Sequence, residues 1–422
     1  MPRFQRPTGT HDILPEDQPY WEYVTDFAVR LARQAGFERI DVPIFEATDL
    51  FARGIGTATD VVEKEMYTFT DKGGESLTLR PEFTAGVVRA YIEHGMHVRP
   101  QPVKLYSIGP VFRYDRPQAG RFRQFHQFNM EILGDMDPLA DLEVMLLIWD
   151  LYAGLGFRNL SFQLNSTGCP RCRPGYVRVL QDYYLGHQNE VCEDCRRRTE
   201  RNPLRVLDCK VETCQPVIAA APSILDYLCD ECAEHFAQLR EYLDMLGRPY
   251  ILNHRLVRGL DYYTKTVFEV WAAGIGAQAA VCGGGRYDGL AEILGGPSTP
   301  GVGVAAGIER IIMVMKTQGL TVPPLPTPAV FLAHLGDRAR REAVRLADEL
   351  RHAGVAVWTA FGERGLKSQM READKRGARW VVILGEDELA RGVAAVRDMT
   401  TGEQTDIGLE GLVSWLRERV GR

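Results

Sequence analysis

The alternation of apolar and polar positions divides this chain into stretches of different period. Residues 17–35 bring Trp21, Val24, Phe27, Ala28 and Leu31 near helical spacing, which predicts an amphipathic helix. Asp41 to Phe45 predicts a short strand, confined to a sheet edge by Pro43. From there to about residue 165, short strands alternate with helical stretches such as Leu139 to Leu155. Within this region VKLYSIGPVF (103–112) is strand-like, a basic loop follows, and Phe125 to Leu133 alternates again, so the three form a predicted antiparallel hairpin. Alternation puts Gln127, Asn129 and Glu131 on one face of the return strand and His126, Phe128 and Met130 on the other. Between 166 and 245 strong strand patterns vanish in favour of paired cysteines and Arg- and Glu-rich helical stretches, the mark of an inserted subdomain. Strand patterns return at Tyr250–Asn253 and Tyr263–Trp271. Beyond the proline-bearing segment 315–328, strand-like runs at 329–335, 355–361 and 380–385 alternate with helical runs at 337–353 and 365–377, and an amphipathic helix runs from Leu409 to Val420. That order predicts a small α/β domain with a largely parallel sheet. The expected class is α+β: a catalytic-size domain in two parts, 1–165 and 246–318, an insert at 166–245, a linker at 319–328 and the α/β domain at 329–422.

Composition narrows the picture. A chain of 422 residues needs more than one core, about two to four. No apolar run approaches a membrane span, and the segment MPRFQRPTGTHDILPEDQPYW has no apolar stretch of a secretory signal, so the expected location is cytoplasmic, with no membrane partner. A net charge of −6 argues against general coating of nucleic acid; a nucleic-acid partner would have to be held by local basic patches. Eight of the nine cysteines fall between Cys169 and Cys232, a clustering that favours metal over disulfides in a cytosolic chain.

Four segments carry candidate chemistry. Arg113, Arg116, Arg121 and Arg123 crowd the mouth of the hairpin within eleven residues, and the arginine fork matches phosphate oxygens in paired hydrogen bonds. CGGGRYDGL (282–290) allows close backbone approach by a ligand. TPGVGVAAGIERIIMVM (299–315) is a glycine-rich strand running into a helix near Gly307, which sets Arg310 in a first turn already favourable to anions. Its G-x-G-x-x-x-G spacing departs from the dinucleotide fingerprint, and no acidic strand end follows. RGLDYYTKTVFEVW (258–271) sets two tyrosines beside an arginine and an aspartate, suited to a polar aromatic ligand. LTLRPEFTAG (77–86) places Glu82 and Thr84 where a helix should start; they suit either an ammonium or a simple cap.

In order, the Pro43 strand, the hairpin Phe112–Asp115 with its return strand, and the run Gly301–Arg310 resemble the three signature motifs of class II aminoacyl-tRNA synthetases. Within that class, RGLDYYT (258–264) and CGGGRYDGL (282–290) are similar to the segments peculiar to histidyl-tRNA synthetases, and TGTHDILP (8–15), KEMYTF (64–69) and the residues of 79–84 add to the match. The resemblance runs from about residue 6 to the C-terminus, interrupted by the cysteine-rich insert.

The resemblance implies ATP-dependent ligation of L-histidine to tRNA(His) through a histidyl-adenylate. It implies Arg113 and Arg258 as the catalytic cations at the α-phosphate, with Phe125 on adenine, Arg310 on the distal phosphates, Glu309 nearby, and Mg2+ bridging the β- and γ-phosphates. Glu82, Thr84 and Gln127 are implied for the histidine α-amino group, Glu131 and Tyr263 for the two imidazole nitrogens, and Tyr262, Tyr287 and the 283–285 glycines for the pocket shape. A carboxylate and a phenol supply the donor–acceptor pair an imidazole requires, and such a site needs no editing domain. Arg116, Gln118, Arg121 and Arg123 are implied for the tRNA acceptor end, the C-terminal domain for the anticodon, and a homodimer for contact through the Pro43 region. Asp115 departs from the family's FRxE pattern by one methylene. Two other readings are a histidine-sensing regulatory paralogue of ATP phosphoribosyltransferase, which generally lacks the C-terminal domain and often the catalytic arginine, and a class II synthetase for threonine or proline, against which 258–264 and 282–290 stand.

Independently of the resemblance, Cys169/Cys172, Cys192/Cys195 and Cys229/Cys232 have C-x2-C spacing and Cys209/Cys214 has C-x4-C spacing, all within the range of structural zinc sites. Eight thiols suit two tetrahedral sites, or one with spare thiols. Replacing Arg116 or Arg123 by Ala is expected to spare adenylate formation and slow transfer to tRNA; equal losses in the two half-reactions, measured separately, would contradict that assignment.

Overall fold

A computed structural model describes residues 4–56, 59–116, 120–272 and 280–420. The chain forms two compact units that meet in sequence at Pro323 and Pro324. In the first unit the strands are β1 (Glu38–Arg39), β2 (Phe45–Ala47), β3 (Tyr67–Thr70), β4 (Ser76–Leu79), β5 (Val103–Phe112), β6 (Gln124–Leu133), β7 (Ser161–Ser166), β8 (Tyr250–Leu252), β9 (Thr264–Trp271), β10 (Ala280–Arg286) and β11 (Gly301–Gly307). Eight of them make one sheet in the order β1-β5-β6-β11-β10-β9-β7-β8, antiparallel through its centre and closed by a parallel pair at each edge.

The two faces of this sheet differ because the strands alternate. Phe128, Met130 and Ile132 of β6 and Val302, Val304 and Ala306 of β11 point to a core shared with the helices Gln18–Gln34, Pro138–Gly154 and Ile308–Thr317. The intervening residues Gln127, Asn129, Glu131, Gly303 and Ala305 face the other way. There the Thr84–Glu93 helix and its neighbours cover the ends of the sheet with a second core, leaving the centre open.

The predicted strand at Asp41–Phe45 is displaced to Phe45–Ala47, the edge of a small sheet ordered β2-β4-β3. Pro43 lacks a ladder donor, and the carbonyls of Val42 and Pro43 accept instead from Arg80 Nη1 at 2.6 and 3.3 Å. Between β7 and β8 the chain is helical. Tyr176, Leu180, Tyr184, Val206 and Ile218 form a separate small core, whereas Phe236, Leu239 and Leu243 of the Asp230–Met245 helix pack into the main one. The returning helix of the 166–245 segment therefore belongs physically to the sheet's own core.

The second unit holds β12 (Val330–His334), β13 (Val357–Thr359), β14 (Trp380–Leu384), β15 (Val393–Asp398) and β16 (Gln404–Gly408) in the order β13-β12-β14-β15-β16. The expected largely parallel sheet is mixed: β12 pairs in parallel with β13 and β14, while β15 and β16 add an antiparallel hairpin. The Asp398 carboxylate holds its turn by accepting from Thr400 N at 2.8 Å. Among the described residues no helix is long and apolar enough to cross a membrane.

One ion pair ties the open sheet to its helical layer. Arg286, at the end of β10, and Asp141, on the Pro138–Gly154 helix, are both 0% exposed. The guanidinium donates to Asp141 Oδ2 at 2.9 Å through Nε, to the Asp135 and Asp137 carbonyls at 2.8 and 3.1 Å, and to Asp288 Oδ1 at 3.1 Å. His235 Nε2 stands 3.4 Å from the second Asp141 oxygen. Burial alone would raise the Asp141 pKa, but Arg286 and His235 outweigh it and bring it down to about 2. The folded value lies below the unfolded 3.8, so this contribution is present above pH 4 and fades as pH falls toward 2. Removing one partner strands a buried charge. Asp141→Ala is expected to cost about 3–5 kcal/mol in urea unfolding of the full chain, and the paired change Asp141→Leu/Arg286→Met considerably less.

Candidate active site

The open centre of the large sheet holds two connected cavities, one of about 480 Å³ and a deeper one of about 140 Å³. Arg113, Gln127, Arg258 and Gly283 line both. They form a shared wall on which a group in one cavity can meet a group in the other.

The deeper cavity is lined by Glu82, Thr84, Gln127, Tyr262, Tyr263 and Tyr287, among others. Glu82 precedes the Thr84–Glu93 helix, and its carboxylate accepts from the Thr84 and Ala85 N–H groups, the latter at 2.9 Å. It therefore caps the helix while remaining on the wall, and burial raises its pKa against those hydrogen bonds. Tyr262 lies 4.8 Å from Tyr263 and 5.7 Å from Tyr287, centroid to centroid, so three phenol rings enclose the space. Gln127 Oε1 and Asn129 Oδ1 are buried acceptors with no hydrogen-bond partner among the described residues. Acceptors left so in a cavity fit a ligand that donates, such as an ammonium.

Glu131 sits behind this wall, 1% exposed. One carboxylate oxygen accepts from Thr84 Oγ1 at 2.7 Å and the other from the Tyr287 hydroxyl. Thr84 and Tyr287 thus hold both of its oxygens. Burial, only partly opposed by these two hydrogen bonds, pushes its pKa up to about 8.

The wider cavity is cationic. Arg113 donates through Nε to the Pro81 carbonyl at 2.8 Å, and its guanidinium lies 5.6 Å from the centroid of Phe125. Arg258 is ion-paired to Glu269; burial works against its charge, but Glu269 and Tyr263 raise its pKa above the ordinary arginine value. Arg310 begins the helix after β11, and burial and the nearby Arg121 guanidinium lower its pKa. Two close cations on a cavity wall suit a polyanion. Glu309 is turned aside: it accepts from His126 N at 2.9 and 2.8 Å and pairs with His126 Nδ1 at 2.9 Å.

The hairpin loop divides. Arg121 lines the wide cavity and pairs with Asp115 at 3.2 Å. Arg116 is exposed, its N–H bonded to Asp115 Oδ1 at 2.7 Å. Arg123 lies 3.8 Å over the Tyr114 ring. Gln118 falls outside the described residues. The short Asp115 side chain thus serves Arg121 and the loop backbone.

The glycines are explained by the protein's own side chains more than by a ligand. A Cβ on Gly283 would fall 2.6 Å from Arg258 Cζ, one on Gly285 2.9 Å from the Tyr263 ring, and one on Gly303 onto the Glu131 carboxylate. Sequence reading missed Glu269, the acid that fixes Arg258; an acid within the apolar run of β9 was the available signal. It also missed Arg205, which reaches from the insert to Asp60 Oδ2 at 2.7 Å and lines the cavity, and for which the pattern carried no cue.

A family model described as Histidyl-tRNA synthetase matches residues 9–171 and 190–311. The chain belongs to the histidyl-tRNA synthetase family. A second model, Anticodon binding domain, matches residues 329–419. A histidine–tRNA ligase of Pelotomaculum thermopropionicum is 52% identical over 98% of this chain and 98% of its own, and one of Dehalococcoides mccartyi is 50% identical over 99% and 100%. The crystal structure of the apo histidyl-tRNA synthetase of S. aureus, 39% identical, superposes with a TM-score of 0.83 over 98% of this chain and all of that one. The large sheet is thus the class II catalytic sheet of a histidyl-tRNA synthetase, and the second unit its anticodon-binding domain.

With a folded pKa of about 8 against 4.5 unfolded, Glu131 binds more protons in the folded state, so its contribution to stability is greatest below pH 4.5 and is lost as pH rises toward 8. Glu131→Gln removes that dependence. In thermal unfolding without ligand, its stability relative to the unsubstituted chain should rise across this window by on the order of a few kcal/mol; parallel pH profiles would contradict the assignment.

Proposed function

We propose that the two cavities bind L-histidine and ATP so that the histidine carboxylate and the α-phosphate meet at the wall shared by Arg113 and Arg258. The enzyme is a histidine–tRNA ligase, joining histidine to tRNA(His) through an adenylate. The single observation carrying the division of roles is that both arginines line both cavities. The carboxylate attacks phosphorus in line and pyrophosphate leaves. The arginines spread the charge that develops on the phosphoryl oxygens, and alignment supplies the rest.

Histidine lies in the deeper cavity. Its ammonium meets Gln127 and Asn129, with Glu82 and Thr84 at the helix start beside it. Its imidazole lies among the three tyrosines, one nitrogen at Tyr263 and the other at Tyr287. The Tyr287 hydroxyl, donating to Glu131, keeps an oxygen lone pair for the imidazole N–H. Glu131 is then a positioning residue for the pocket hydroxyls. Adenine stacks on Phe125, and Arg310 with Arg121 holds the distal phosphates. The donor set fits a magnesium ion brought in by the nucleotide: Glu65, one of several carboxylates lining this wall, would hold it together with phosphate oxygens, whereas Glu309 is engaged by His126. Such an ion would supply charge neutralisation for the departing pyrophosphate.

Arg116, exposed at the loop, is the residue of this hairpin placed for the tRNA acceptor end, while the C-terminal unit reads the anticodon. The enzyme works in the cytoplasm as a homodimer joined near Pro43, where Ile44, Phe45 and Phe69 are 45%, 52% and 44% exposed on the small sheet. Retention of Arg258 and of the second unit supports the ligase over the histidine-sensing paralogue.

Pyrophosphate exchange into ATP is expected to require histidine and no other amino acid. Arg258→Ala should slow it about 10²–10³-fold. Exchange at the unaltered rate would remove Arg258 from the mechanism, and no exchange with any amino acid in the unsubstituted chain would favour the sensor.

A further inference from the structure

The eight cysteines of the insert gather into two groups: Cys169, Cys172, Cys229 and Cys232, and Cys192, Cys195, Cys209 and Cys214. Within each, all four sulfurs lie within 4.8 Å of one another. Neighbouring Sγ atoms in the first stand 3.7, 3.8 and 3.9 Å apart, and Cys192 and Cys209 in the second 3.9 Å. A zinc–thiolate bond of about 2.3 Å gives a tetrahedron with edges of about 3.8 Å. A disulfide would need sulfurs about 2.05 Å apart. Each group also has the outer hydrogen bonds that thiolate ligands use: Cys169 N donates to Cys172 Sγ at 3.2 Å, Cys192 N to Cys214 Sγ at 3.1 Å and Val211 N to Cys209 Sγ at 3.4 Å.

We propose that each group binds one Zn2+, and that the two ions do different things. Four thiolates closing on one small space select a single soft-ligand tetrahedral ion. The second site lies inside the small core with Tyr184, Val206 and Ile218, and holds the insert together. The first is the neck. Cys169 and Cys172 follow β7 as the chain leaves the sheet, and Cys229 and Cys232 open the helix by which it returns. One ion there fastens departure to return.

The neck also grips the histidine pocket. Arg173, next to Cys172, donates to the Thr167 carbonyl at 2.7 Å and to the Tyr263 carbonyl. Glu231, between Cys229 and Cys232, accepts from Lys265 Nζ, which is almost fully buried, at 2.8 Å. Lys265 N donates to the Gly168 carbonyl at 2.9 Å, and the Lys265 carbonyl accepts from Thr167 N at 2.7 Å. The backbone from Tyr263 to Lys265 is therefore clamped by the two ligand loops, with Lys265 itself at φ 49°. The neck zinc is a positioning site for Tyr263, an inference that rests on the placement of histidine given above.

Metal analysis of the full chain purified without added zinc tests the sites directly, whether or not the enzyme acts as proposed. About two equivalents of zinc are expected; less than about half an equivalent, or iron in place of zinc, overturns them. Cys229→Ser and Cys214→Ser should each leave about one equivalent, and retention of two in either overturns the grouping. The Cys214→Ser insert should become protease-sensitive while KM for histidine in pyrophosphate exchange stays within about twofold. Cys229→Ser should raise that KM about fivefold or more with kcat largely kept. Glu231→Gln keeps every thiol and so separates positioning from folding: two equivalents of zinc should remain while KM for histidine rises. An unchanged KM in both neck variants overturns the positioning role and leaves the metal sites standing.

Discussion

Arg258 lies at the floor of the cleft because β10 offers no side chain beneath it. A methyl group on Gly283 would sit 2.6 Å from its guanidinium carbon, so the Arg258 guanidinium would have to move off its ion pair with Glu269 to admit it. The same constraint repeats beside it, where Gly285 makes room for the Tyr263 ring and Gly303 for the Glu131 carboxylate. A β-sheet normally presents a layer of side chains about as thick as the groups that occupy this site. Removing that layer from two adjacent strands turns the sheet's own backbone into the floor. Charged and aromatic groups from neighbouring segments then settle on it at fixed height.

That arrangement sets the electrostatics. Groups lying on a sheet floor lose water on one side, so each needs a partner or shifts its pKa. Arg258 takes Glu269, Glu309 takes His126, and Glu82 takes a helix N-terminus. Glu131 has neutral donors, the Tyr287 and Thr84 hydroxyls and the Asn129 side chain, which do not offset burial, and the nearby Glu82 carboxylate adds to the rise in its pKa. The cationic and phenolic halves of the cleft thus arise from which partners the floor residues found.

Much of this was legible in the sequence where short-range rules govern. The face carrying Gln127, Asn129 and Glu131 follows from strand period, and the strand–helix junction at Gly307 from its glycines. What escaped depends on long-range or subtle choices. The strand expected around Pro43 slid two residues beyond it because Arg80 took the carbonyls there. The β15–β16 hairpin was invisible because Ala394 and Ala395 give no bulky alternation. Cysteine spacing announced four pairs, but which pairs join is decided by where helices return, and the hydrogen bonds of Glu131 to Thr84 and Tyr287 involve residues far apart in sequence.

The pairing of β6 with β11 has a bearing on how the molecule comes into being. Gly303 lies opposite Glu131 in the register of these strands, and the chain between them contains the whole cysteine-bearing segment. On the ribosome, the hairpin with its arginines emerges early and must wait, its neighbouring sheet edge bare, until the glycine strand is translated. Contacts so distant along the chain slow folding and leave an adhesive edge exposed meanwhile. The middle segment, with a core of its own, can condense during that wait.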